Sequence, residues 1–262
     1  MSLHVETRGQ GRDVVLLHGW ALHGGMWGSW IDVLAVDYRL HLVDLPGHGR
    51  SPWVPTARNL AGLARSVLPH VPPGSVVIGW SLGGLVALEL ARRHAGHVGA
   101  LVLVATTPKF VADPGWEHGV PLDVLEQFSQ GLAVDYRRTV QNFLSLQVRG
   151  DEHAIETLRQ LKRSLAAHGE PDPRALEAGL GILRRSDLRD DLSHITVPTL
   201  VIAGEHDRLT PPGAGLELAS RLPSARMRLV ERSGHAPFVS HPGVVLAEVQ
   251  RFLARQAPTV DA

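Results

Sequence analysis

The sequence predicts an α/β architecture in which a mostly parallel sheet is flanked by helices and interrupted by a helical insertion. Three observations carry this reading: short apolar, β-branched runs at both ends of the chain, helix-period segments between them, and a middle third with helical periodicity alone. The runs fall at residues 14–17, 40–43, 75–78, 100–104, 199–203 and 227–230. Each is bounded by Gly, Pro or polar residues, as strands buried on both faces of a parallel sheet are. Helices fit the segments 82–94 and 243–255, and the alternation of strand with helix indicates α/β topology.

From about residue 108 to 195 the rhythm changes. Leu122, Leu125 and Phe128 share one helix face; so do Tyr136, Val140, Phe143 and Leu144, then Ile155, Leu158 and Leu165, then Leu176, Leu180 and Leu183. We therefore expect a core of residues 1–107 and 196–262, with residues 108–195 inserted as a helical lid. A separate helical bundle is the alternative, although the insertion is short for an independent core. Residues 256–262 read as a disordered tail.

Composition narrows the function classes. Lys+Arg and Asp+Glu balance at 26 each, so no global field draws nucleic acid or an anionic membrane. Cysteine is absent, which excludes disulfides, thiolate metal sites and a cysteine nucleophile. Residues 1–10 are polar, without the apolar centre of a signal peptide, and no later run is long enough to cross a bilayer. A cytoplasmic monomer is expected.

The chemistry concentrates in three loops. Gly79-Trp80-Ser81-Leu82-Gly83-Gly84 joins a strand run to a helix run. A serine on so tight a turn needs small neighbours on both sides, which marks Ser81 as a nucleophile. Its hydroxyl is weak at neutral pH and requires a base whose tautomer a third group fixes. Asp207 follows the run 199–203 and His235 follows 227–230, in the order Ser, Asp, His and at carboxyl ends of strands, where open α/β sheets gather their sites. Glu205 and His206 are the nearest competitors to Asp207.

A tetrahedral intermediate needs two aimed donors for its oxyanion. The amides of Leu82, directly after the nucleophile, and of Trp20, in the loop His18-Gly19-Trp20, are the candidates; the Trp20 side chain is alternatively packing over the glycine-rich turn. His94 and His97 stand three apart with no third ligand nearby, the pattern of a solvated helix end. No metal and no cofactor are expected.

With Asp44-Leu45-Pro46-Gly47-His48-Gly49-Arg50-Ser51 added, the chain resembles the α/β-hydrolase family over nearly its whole length. Serine at position 81 argues against the haloalkane dehalogenases within it, which use aspartate there. A narrower resemblance is to the pimeloyl-[acyl-carrier protein] methyl ester esterases, carboxylesterases of biotin synthesis. It rests on Leu16-Leu17-His18-Gly19-Trp20, the elbow, His235-Ala236-Pro237-Phe238-Val239-Ser240-His241-Pro242 and, in the lid, Arg138-Thr139-Val140 and Phe143-Leu144-Ser145-Leu146-Gln147. The resemblance implies cleavage of the methyl ester of a pimeloyl chain on acyl-carrier protein, with side activity on short-chain esters.

Within residues 135–148, Tyr136, Val140, Phe143 and Gln147 share one helix face and Arg138 points away. Phe143 and Gln147, with Trp20 and Leu82, are the candidate substrate contacts. Arg138, Arg159 and Arg163 are the candidate carrier-docking cations. The family's basic lid surface includes arginines where this chain has Asn142 and Ile155, so the resemblance implies a rearranged docking surface. A general short-chain carboxylesterase or lactonase, and a ligand-binding protein of hydrolase fold without turnover, are the competing readings.

Overall fold

The computed structural model describes residues 2–256. Seven strands form one sheet: β1 (Val5–Arg8), β2 (Arg12–Leu17), β3 (Tyr38–Val43), β4 (Ser75–Trp80), β5 (Val98–Val104), β6 (Thr199–Gly204) and β7 (Ala225–Val230), in the order β1-β3-β2-β4-β5-β6-β7. All pairings are parallel except β1 against β3. Every residue of β4 and β6 is buried, which is why these strands read as continuous apolar runs.

β1 escaped the sequence reading for a physical reason. Its Val-Glu-Thr-Arg alternates, and its outer half is exposed. It is an edge strand held by its backbone, in register from Val5 opposite Val43 to Arg8 opposite Leu40.

Six helices pack around the sheet: α1 (Ser29–Leu34), α2 (Leu60–Val67), α3 (Leu82–Arg93), α7 (Pro212–Arg221), α8 (Pro237–Ser240) and α9 (Pro242–Arg255). Three more, α4 (Leu122–Gln147), α5 (Ala154–Ala167) and α6 (Pro173–Arg185), lie between β5 and β6. The ends of that insertion are stitched together where Leu188 donates its amide to the Pro108 carbonyl at 3.0 Å and Lys109 Nζ meets Asp187 at 3.0 Å. Val140, Phe143, Leu176, Leu180 and Leu183 belong to the same buried apolar cluster as Leu17, Val77 and Leu85.

The helical faces need two corrections. Ile155, placed on the apolar face of α5, is 79% exposed; Thr157 and Leu161 are the buried positions instead, with Leu158 and Leu165 half-buried. Leu122, placed on the apolar face of α4, is 44% exposed, while Leu125 is buried. α4 is also broken at Asp135 (φ −151°, ψ 91°), whose carboxylate accepts from the Arg138 amide at 3.0 Å and caps the second half as a new helix. Of the tail expected to be disordered, residues 257–262 lie outside the described residues. No helix among the described residues is long and apolar enough to cross a membrane.

Candidate active site

Ser81 sits between β4 and α3 at φ 53°, a left-handed conformation rare for a residue with a side chain. The turn is tight enough that a Cβ on Gly83 would stand 2.2 Å from the Leu17 carbonyl oxygen, and one on Gly79 2.4 Å from that of Gly83. The strained residue is held by its own backbone: its amide donates to the Val104 carbonyl at 3.0 Å and its carbonyl accepts from Thr106 Oγ1 at 2.8 Å.

From that turn runs an unbroken hydrogen-bonded line. Ser81 Oγ lies 2.9 Å from His235 Nε2, and His235 Nδ1 lies 2.7 Å from Asp207 Oδ2. Asp207 is itself fixed. Its Oδ1 accepts from the amides of Leu209 at 2.8 Å and Thr210 at 2.9 Å, and its Oδ2 accepts from Thr210 Oγ1 at 2.6 Å. The two competing residues face elsewhere: Glu205 accepts from the Arg232 amide at 2.7 Å, and the His206 ring bonds the Gly150 carbonyl at 2.7 Å. Thr210, three residues after the aspartate, was not anticipated, although its D-x-x-T spacing is visible in the sequence.

The His235 loop is held from the insertion. The His235 amide donates to the Gln147 carbonyl at 2.8 Å, and the Gly234 amide donates to Asp151 Oδ2 at 2.8 Å. Asp151 is 7% exposed, and its second oxygen takes the His153 amide at 2.7 Å. Trp80 Nε1 donates to the His235 carbonyl at 2.8 Å from the sheet side. No periodicity could have revealed these tethers, because they join segments more than 80 residues apart.

On the opposite wall, the Trp20 amide has no hydrogen-bond acceptor among the described residues. The Leu82 amide, first in α3, has no intrahelical acceptor by construction. The Trp20 indole packs against Gly179 of α6, where a Cβ would stand 2.5 Å from its ring. It donates to the Leu176 carbonyl of α6 at 2.9 Å and meets the Phe143 ring edge-on at 4.6 Å, while Trp80 fills the space over Gly19. Gln147 is buried, and its Oε1 has no hydrogen-bond partner, the condition of a group waiting for a donor.

Two buried histidines brace the Trp20 loop. His18 accepts the Leu45 amide on Nε2 at 2.9 Å and bonds the Gly19 carbonyl through Nδ1 at 2.8 Å. His48 accepts the Ala21 amide on Nε2 at 3.3 Å and bonds the Pro46 carbonyl through Nδ1 at 3.0 Å. Each arrangement requires the neutral ring with its proton on Nδ1. Burial enforces that state, holding His18 well below the usual histidine range and His48 down to about 4. Asp44 completes the brace by accepting the Gly24 amide at 2.7 Å and the Arg50 amide at 2.9 Å.

The candidate docking arginines are unequal. Arg159 and Arg163 both pair with the single carboxylate of Glu156, whereas Arg138 has no acidic partner among the described residues. A cleft of about 740 Å³ opens between α4 and α6, with Trp53, Tyr136, Arg58, Arg184 and Arg185 on its walls and none of Ser81, Asp207 and His235 among them. His94 and His97 stand edge to face with ring centroids 6.4 Å apart.

The family model described as alpha/beta hydrolase fold matches residues 14–242. A pimeloyl-[acyl-carrier protein] methyl ester esterase of Aeromonas hydrophila is 43% identical over 97% of this chain and 100% of its own length. The protein of that name from Xanthomonas campestris is 44% identical over 96% and 99%, and that from Nitrosospira multiformis 41% identical over 96% and 98%. Among solved structures, an esterase from Exiguobacterium antarcticum superposes with a TM-score of 0.88 at 24% identity, covering 96% of this chain and 95% of that one. An enol-lactonase from Burkholderia xenovorans superposes with a TM-score of 0.84 at 22% identity, covering 96% of each. Likeness at that identity speaks to the fold alone.

Proposed function

The chain belongs to the alpha/beta hydrolase family, and from that premise we propose that it is a serine carboxylesterase that cleaves the methyl ester of pimeloyl-[acyl-carrier protein] in biotin synthesis. The observation that carries the reading is the line Ser81–His235–Asp207 on a strained elbow, in a chain 41–44% identical to esterases of that name over nearly their full length.

Ser81 Oγ attacks the ester carbonyl while His235 Nε2 takes its proton, and Asp207 holds the ring so that Nε2 is the free nitrogen. The carbonyl oxygen becomes an oxyanion received by the amides of Trp20 and Leu82. His235 returns the proton to the departing methoxy oxygen and methanol leaves. Water, deprotonated by the same nitrogen, then opens the acyl-serine to the free acid. Phe143, Trp20 and Leu82 supply an apolar wall for the acyl chain, and the buried Gln147 side chain is placed on that wall to meet a polar group of the substrate. Because Ser81 is 2% exposed and His235 fully buried, the helical insertion acts as a lid that must move for substrate to reach them.

A short-chain carboxylesterase is the second reading, favoured by Asn142 and Ile155 and by the neutralising Glu156. Hydrolysis of pimeloyl-carrier methyl ester against free short-chain esters separates the two: a higher second-order rate on the carrier-bound ester is expected, and equal rates favour the general esterase. Failure of a fluorophosphonate to label Ser81 in the folded protein overturns both in favour of a non-catalytic binder.

A further inference from the structure

Outside the active site, the fold gathers one group of side chains that no sequence spacing announces. Glu152 and His153, in the turn before α5, meet His241, which lies between α8 and α9. Their ligand atoms all lie within 4.8 Å of one another. His241 Nε2 stands 2.9 Å from Glu152 Oε1, and His153 Nε2 stands 3.8 Å from that same oxygen.

We propose that Glu152, His153 and His241 form a binding site for a divalent transition metal of the zinc type, with water as the fourth ligand. Two imidazoles and one carboxylate are a donor set that zinc takes, and bonds of about 2.0–2.2 Å in a tetrahedron put neighbouring ligand atoms about 3.4 Å apart. The observed separations bracket that value. The His153 side chain is 55% exposed and free to close the remaining gap by rotation.

The surroundings suit a metal in two further ways. The second ring nitrogen of His241 lies 2.8 Å from Ser240 Oγ, so its Nδ1 proton has an acceptor and Nε2 is presented as the ligand, the arrangement that orients metal-binding histidines. Ser240 Oγ in turn lies 3.1 Å from Ser233 Oγ in the loop of His235. Against the site stands Arg232, whose guanidinium is 2.8 Å from Glu152 Oε2; it holds the oxygen that the metal does not need and is 68% exposed, so it can swing away.

The position gives the metal a consequence. Asp151, the neighbour of Glu152, holds the Gly234 amide, so a metal here fastens the start of α5 to the segment carrying His235. Occupancy should therefore stiffen the junction between insertion and sheet domain without touching Ser81.

The test is Co²⁺ titration of the purified apo-protein, read by visible absorption, with Zn²⁺ competition. A tetrahedral cobalt band displaced by Zn²⁺ is expected in the wild type, and Glu152→Gln and His153→Ala should each weaken binding at least tenfold. His153 is exposed and Glu152→Gln keeps the size of a half-buried side chain, so both variants should keep the wild-type circular dichroism. Zn²⁺ should also raise the unfolding temperature of the wild type and not of His153→Ala. Absence of the band, or a band that both variants retain, overturns the site and leaves the group as a solvated ion-pair network.

Discussion

The elbow and the insertion solve opposite problems. Around Ser81 every atom is prescribed by backbone approach: glycines at 79, 83 and 84 admit no side chain, the serine is strained, and its partners are buried. The insertion is loosely prescribed, with α4 broken at Asp135, an exposed Ile155 and charges paired across its surface. The contrast teaches that a tight strand-to-helix turn leaves a short, readable motif, whereas a helical surface held by exposed charge pairs leaves none.

The sharpest test of the first half is Ser81→Ala. The smaller side chain fits the elbow yet cannot form an acyl-enzyme, so turnover should fall by on the order of 10⁶ with unchanged unfolding temperature. Steady turnover by pure protein would sink the mechanism. Asp207→Asn should cost about 10⁴ in turnover, because Nδ1 of His235 loses the acceptor that fixes its tautomer. Glu205→Gln should leave the rate near wild type, since that carboxylate accepts from the Arg232 amide and lies 3.7 Å from the His206 ring, away from His235 Nδ1. A reversed pair of results would move the acid.

The two regions should also respond to different solution variables. His48 titrates at about 4 when folded and near 6.5 when unfolded. Between those values the unfolded chain binds a proton that the native state refuses, so unfolding free energy falls as pH drops from 6.5 to 4. This one residue accounts for about 3 kcal/mol of that loss. His18, shifted in the same direction, adds to it. Urea unfolding at pH 7 and pH 4.5 measures the effect, and His48→Gln should flatten it. An unchanged slope would mean that other groups govern acid sensitivity. Exposed pairs on the insertion should respond to salt instead.

Much of the sheet, and the three loops that bring Ser81, His235 and Asp207 into one hydrogen-bonded line, were legible because buried parallel strands leave continuous apolar runs and the elbow demands small residues at fixed offsets. β1 was not, since an edge strand with alternating polarity owes its place to β3 rather than to its own side chains. Ile155 misled because helical spacing does not say where the buried stripe begins: α5 packs on α4 and α8 through Thr157 and Leu161, which leaves Ile155 outside. The tethers from Gln147 and Asp151 to the His235 loop were invisible in principle, being contacts between remote segments.

Asp151 is the place where the contrast between regions should blur. Asp151→Ala leaves the Gly234 amide without its acceptor, a loss of about 1–3 kcal/mol for a buried donor. If the insertion positions His235, turnover on a small ester should drop by roughly ten- to a hundredfold with KM little changed, as that free energy implies. Asp151→Asn, which keeps an acceptor oxygen, should recover most of the rate. A loss confined to stability, with normal turnover in the folded fraction, would make Asp151 structural only.

Among the losses, the smallest is expected at the surface charges. Arg159 and Arg163 share Glu156, so their attraction for an acidic carrier is partly spent within α5, and Arg138 should carry the greater share. Exposed charges act on encounter rate and are screened beyond about 8–10 Å at ordinary salt, so Arg138→Glu should lower the second-order rate on carrier-bound ester only severalfold. Reversing Arg159 and Arg163 as well should add less than Arg138 alone contributes. Added salt should erode the wild-type advantage, while a small neutral ester, which makes no use of these surface charges, should be hydrolysed as before. Equal losses on both substrates would make these arginines structural supports of the insertion. Loss on neither, together with loss on the carrier-bound ester when Arg184 and Arg185 are reversed, would move the carrier's approach to the cleft between α4 and α6.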